Sequence, residues 1–171
     1  MAELRSVSIR WLAIGVAGIA AAVLMAEAAA LSITTSAISF PDVTLNGAPQ
    51  TVDGSTTAWR ADALGETGGW RVTVASSDFT NGSGKMIAVS NFQTRLLDAN
   101  IVRVSGDLNG PTSTQTTFAA LSGTALRIAS AAVATGSGIY DMTPNFRLTV
   151  PAETYTGSYT ATVTVAISAG P

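Results

Sequence analysis

Nine residues near the end of the chain, Tyr159 to Ile167, alternate strictly between two sides. Tyr159, Ala161, Val163, Val165 and Ile167 fall on one, Thr160, Thr162, Thr164 and Ala166 on the other. A period of two matches the pleat of a strand, whose side chains point to opposite faces in turn, and does not match a helix. The same pattern recurs at Trp70 to Val74, with Trp70, Val72 and Val74 facing inward, and at Phe146 to Val150, which Pro151 closes because proline has no N–H for a central ladder. Weaker strands are predicted at Ile33–Phe40, Val43–Leu45, Ser55–Arg60, Met86–Val89, Asn100–Val104 and Ala125–Ala129. Asn46-Gly47, Asp53-Gly54, Asn81-Gly82, Asn109-Gly110-Pro111 and Thr156-Gly157 mark turns, since Asn, Asp and Gly tolerate positive φ. Between Phe118 and Val133 the Ala and Leu content would permit a helix, but Gly123, Gly136 and Gly138 favour strand and loop. The fold expected is all-β: a single antiparallel sandwich of eight or nine strands.

In front of this region stands a leader of a different kind. Arg5 and Arg10 precede an apolar run from Trp11 to Met25, and small residues cluster at Ala26, Ala28, Ala29 and Ala30. That order is the plan of a secretory signal peptide with its helical apolar region. Glu27 ends the run short of the roughly 20 residues a spanning helix needs. Residues 1–30 are therefore expected to be removed, leaving 31–171 as one exported domain that meets the membrane only through its leader.

Charge and residue types exclude much chemistry. The chain has 9 Lys and Arg against 11 Asp and Glu; the leader holds two of each (Arg5, Arg10, Glu3, Glu27), leaving seven against nine. No basic stripe is present to follow a phosphate backbone, so no nucleic-acid partner is expected. With no Cys and no His, thiol chemistry, thiolate zinc sites and a Ser-His-Asp triad are out of reach. Lys85, the only lysine, sits in Asn81-Gly82-Ser83-Gly84-Lys85-Met86. That segment fails as a phosphate loop, because Phe79 occupies the earlier glycine position and Met86 stands where Ser or Thr would hold magnesium. A hairpin turn is the expectation. Asp62, Asp78, Asp98, Asp107 and Asp141 lie in predicted loops, where short carboxylates usually cap turns rather than face each other across a glycosidic bond. Asp107-Leu108-Asn109-Gly110 opens like a calcium loop, but the bidentate Glu does not follow, and no cofactor or metal is expected. Trp70 reads as core or as contact. Trp59, next to Arg60 at the end of an outer strand, reads as core or as an exposed platform for sugar.

The segment from Asp62 through Gly68-Gly69-Trp70-Arg71-Val72 resembles the Gly-Trp-x-Leu/Val segment of the WxL cell-surface domain. The resemblance continues through Gly136-Ser137-Gly138-Ile139-Tyr140 and Leu148-Thr149-Val150-Pro151-Ala152 to Tyr155-Thr156-Gly157-Ser158-Tyr159 and the strand that follows. The first motif carries Val72 in place of Leu, and Val163-Thr164-Val165 occupies the place of the second Trp-x-Leu. The resemblance implies a bacterial, non-enzymatic protein held non-covalently on the cell wall, with peptidoglycan or other surface proteins as partners. It implies contact through Asp62, Trp70 and Arg71, with Trp59 as the further candidate. A rival expectation is a structural subunit, a homo-oligomer or filament in which residues 31–45 complete a neighbour's sheet by strand addition.

Overall fold

The computed structural model describes residues 31–171; the expected signal peptide lies outside them. Fourteen short strands are present among the described residues, and every pairing between them is antiparallel.

One layer consists of long segments broken in mid-course. Residues 50–62 carry β2 (Gln50–Gly54) and β3 (Trp59–Asp62), and residues 92–106 carry β7 (Phe92–Arg95) and β8 (Ile101–Gly106). Between them run β12 (Gly138–Met142) and β13 (Asn145–Val150). β13 pairs with β2 and β7, whereas β12 pairs with β3 and β8. The break falls at Thr143-Pro144, where proline cannot donate to a ladder. Asn100 bridges it, its N-δ2 donating to the Thr143 carbonyl at 3.0 Å while its own carbonyl accepts the Thr143 N–H at 2.9 Å. β1 (Ser32–Thr34) adds to β3 at one edge and β10 (Ala119–Ala120) to β7 at the other.

The opposing layer runs in the order β14 (Val163–Ala169), β4 (Trp70–Ser76), β11 (Leu126–Ala131), β9 (Thr112–Ser113). A hairpin of β5 (Phe79–Thr80) and β6 (Met86–Ile87) lies beside it. Trp70 on β4 meets Tyr140 on β12 across the interior, ring centroids 6.0 Å apart, and Phe79, Phe92, Phe146 and Trp59 continue the aromatic core.

The alternation read from sequence holds on its three clearest strands. Trp70, Val72 and Val74 are buried, as are Phe146, Leu148 and Val150, and Val163, Val165 and Ile167 take the inner side of β14. Four expectations are corrected. The long final strand begins only at Val163, because Thr160 makes a single bridge to Thr80 and the chain before it is loop. Val43–Leu45 forms no strand, and Ile33–Phe40 shrinks to β1 plus one bridge between Ser39 and Ser55. Asp53-Gly54 is not a turn but the end of β2, where the Phe40 ring lies over the glycine, 2.6 Å from where a β-carbon would stand. The Phe118–Val133 stretch is strand and loop as expected. A β-bulge between Arg127 and Ala129 turns both Ile128 and Ala129 into the core.

Candidate functional site

The sequence-predicted contact residues do not converge on one surface. Trp59 is 1% exposed: its ring packs on Phe146 at 5.7 Å between centroids and its N-ε1 donates to Thr56 Oγ1 at 3.3 Å. The exposed-platform reading of Trp59 is therefore corrected. It shares the inward phase of β3 with Ala61, while Arg60 points out to a paired Asp141 at 2.8 Å. Trp70 is also wholly buried, and its N-ε1 donates to the Gly136 carbonyl at 2.9 Å. Gly69, which feeds β4, has φ +75° and sits where a β-carbon would be 2.7 Å from the Ala131 carbonyl oxygen, so Gly-Gly-Trp is a packing device here. Arg71 is half-buried and directs Nη1 at the carbonyls of Gly170 and Pro171, tying down the end of β14. Asp62 accepts the Leu64 N–H at 3.1 Å and caps its own turn.

The other loop carboxylates act similarly. Asp78 accepts from Val89 N–H, Asp98 from Ser113 N–H and Asp107 from Ser137 N–H. Among the described residues no group of three or more His, Cys, Asp or Glu side chains gathers to hold a metal ion. The Asn81-Gly82 segment is the hairpin expected of it: Asn81 Oδ1 accepts the N–H groups of Ser83 and Lys85.

A site that the sequence did not announce lies along one side of the sandwich. β14 has β4 as its ladder partner and none on its outer edge among the described residues, and the strap of residues 35–45 makes only the Ser39–Ser55 pairing. Strap and edge strand leave an open groove of about 940 Å³ between them. Its floor is apolar, with Phe79, Phe92, Leu148 and Val150; the strap contributes Ile38, Phe40 and Val43. Hydroxyl groups form the rim, from Ser36 and Thr44 on one side to Tyr155, Ser158 and Tyr159 on the other. The Tyr159 hydroxyl donates to the Tyr155 carbonyl at 3.1 Å, and Lys85 Nζ stands 3.9 Å from the Tyr155 ring centroid, so the rim is braced by the hairpin. Asp42 is the one carboxylate among the lining residues. An apolar floor with a ring of hydroxyls can hold an amphipathic chain or an extended peptide. The sequence signal for it is the apolar residues Ile38, Phe40, Val43 and Leu45, which predict strands at Ile33–Phe40 and Val43–Leu45 or a donor segment over 31–45.

No family model matches the chain, and no curated protein matches it. Among solved structures it is similar to a family 123 glycoside hydrolase from Clostridium perfringens, described for glycolipid glycan hydrolysis, with a TM-score of 0.39 and 16% identity over 71% of this chain. The chain spans 19% of that enzyme's length, and no residue role is carried over from it.

Proposed function

We propose that this chain is an exported, non-enzymatic cell-surface protein, and that its groove holds wall polymer, peptidoglycan in the first instance, or a segment of another surface protein. The leader and the WxL-like order of motifs support the export and the wall. The observation that carries the binding role is the lining of the groove: apolar floor, hydroxyl rim, and Asp42 as the single carboxylate among the lining residues. Hydrolysis of a glycosidic bond takes two facing carboxylates, whereas non-covalent retention takes only shape and hydrogen bonds.

The test is co-sedimentation of residues 31–171 with purified peptidoglycan, parent against Tyr155→Ala and Tyr159→Ala. Retention by the parent, reduced several-fold in either rim variant with an unchanged circular dichroism spectrum, is the expected result. A parent that stays in the supernatant would sink the wall reading.

A second reading, assembly by strand addition, is favoured by the unpaired outer edge of β14. Residues 32–34 already pair with β3 of their own chain, so a donor segment would have to come away from it. Concentration-dependent oligomers in gel filtration are expected on this reading, and a strict monomer at high concentration refutes it.

A further inference from the structure

The sheet that floors the groove has a second face, turned to solvent. On β7 the inward residues are Phe92 and Thr94, and Gln93 and Arg95 point out. On β13 the outward residues are Asn145, Arg147 and Thr149, and on β2 they include Asp53. The register places Arg147 opposite both Gln93 and Asp53, and Arg95 opposite Asn145. Continuing the β10–β7 register by one residue sets Phe118 opposite Arg95. Both guanidinium groups lie against that ring, Arg95 Cζ at 4.5 Å from its centroid and Arg147 Cζ at 4.1 Å.

The two arginines are not equivalent. Arg147 Nε donates to Asp53 Oδ1 at 2.8 Å, and that hydrogen bond, ahead of simple charge attraction, holds the Asp53 carboxyl below its ordinary pKa. Arg95 has no carboxylate partner and donates no hydrogen bond to any described residue, and its Nε is shut off from solvent with nothing to bond. The side chain opposite, Asn145, makes no hydrogen bond to it and turns its Oδ1 to Asn100 Nδ2 at 3.3 Å. Two cations therefore share one ring and one carboxylate, and the surplus charge falls on a guanidinium whose planar fork is pre-oriented by stacking on Phe118. A planar fork without a protein partner fits a carboxylate or phosphate in two parallel hydrogen bonds. With Nε closed to solvent, the groups left to receive an acceptor are the two Nη nitrogens, which present a fork of their own.

We infer that the outer face of this sheet is an oxyanion site, in which Arg95 stacked on Phe118 receives a carboxylate or phosphate group and Asp53 competes by holding Arg147. It lies on the opposite side of the sheet from the groove and stands without the wall reading; a ligand reaching both faces is not required.

The experiment is an NMR titration of the ¹⁵N-labelled full chain with sodium phosphate, sodium acetate and, at matched ionic strength, sodium chloride. Saturable shifts of the Arg95 Nε–H and of the Gln93 and Phe118 amides are expected with an oxyanion and not with chloride. Tighter saturation by phosphate identifies a phosphate-bearing ligand, and tighter saturation by acetate a carboxylate-bearing one. Arg95→Lys keeps the charge but loses the fork, and is expected to weaken binding at least tenfold with a dispersed, native spectrum. Asp53→Asn releases Arg147 and is expected to tighten binding several-fold. Shifts that are linear and equal in chloride, or an Arg95→Lys variant that binds like the parent, would overturn the assignment.

Discussion

Replacing Trp70 with Phe separates a structural tryptophan from a contact residue. The indole N–H reaches the Gly136 carbonyl at 2.9 Å in a site with no solvent access. Phenylalanine leaves that carbonyl without a partner, a loss of about 1–3 kcal/mol for a buried polar group. The smaller ring also leaves a void of a few tens of Å³, roughly 1 kcal/mol at about 24 cal/mol per Å³. The two together come to about 2–4 kcal/mol, and at roughly 2–4 °C per kcal/mol for a domain of this size the melting temperature should fall by about 5–15 °C. Residues 31–171 contain two tryptophans, Trp59 and Trp70, so unfolding in urea is followed by fluorescence. Both are buried, and iodide should quench neither in the folded parent. Retention on peptidoglycan, normalised to folded protein, should not change. A variant as stable as the parent that has lost retention would refute the reasoning, since Trp70 would then be a contact and not a core residue.

Gly136 has φ +72°, and a β-carbon there would collide with that of Ala131 and press on the Trp70 indole; Gly136→Ala should lose at least about 1–3 kcal/mol from the backbone alone and give little folded protein in a thermal melt. Asp53 and Asp141 are both held below the ordinary carboxylate pKa, chiefly by hydrogen bonds from Arg147 and Arg60. Their contribution to stability is thus present above about pH 4 and lost as pH falls through the depressed values, so the urea midpoint of the parent should drop in acid more steeply than that of Asp53→Asn/Asp141→Asn. Burial raises the Tyr140 pKa, so its contribution is complete below about pH 10 and is lost as pH rises further. Tyr140→Phe should therefore flatten the alkaline side of the stability profile while costing about 0.5–1.5 kcal/mol at neutral pH, because its hydroxyl donates to the Asp107 carbonyl at 3.0 Å.

Strands were legible where apolar side chains alternated and illegible where the inward position was polar or absent. On β7 the inward pair is Phe92 and Thr94, and a threonine does not look like a core residue. It is wholly buried all the same, because its hydroxyl donates to the Asn145 carbonyl at 3.1 Å on the neighbouring strand. β12 opens on Gly138, buried where a β-carbon would meet the backbone of β8, so one of its three inward positions carries no hydrophobic signal. Turn chemistry misled at Asp53-Gly54, where the ladder with β13 and the overlying Phe40 ring outweighed a local preference. Trp59 could have been placed from its own strand: with Arg60 and Asp62 facing solvent, Trp59 and Ala61 must face the core.

Neither candidate site follows from a local motif, because each is a product of pairing. The groove exists because β14 and the 35–45 strap fail to pair with each other, and the alternation of β14 reports which face is buried without reporting whether an edge is filled. The oxyanion site needs Phe118, Arg95, Arg147 and Asp53, four residues spread over 94 positions in the chain, brought onto one face by register. A slip of one residue in β13 would turn Arg147 into the core and Phe146 out to solvent, so the ion pair with Asp53 and the burial of Phe146 select the same alignment. Arg95 is under no such requirement. The register is already set without it, and its guanidinium, stacked on Phe118, makes no salt bridge among the described residues, which leaves it available to something other than folding.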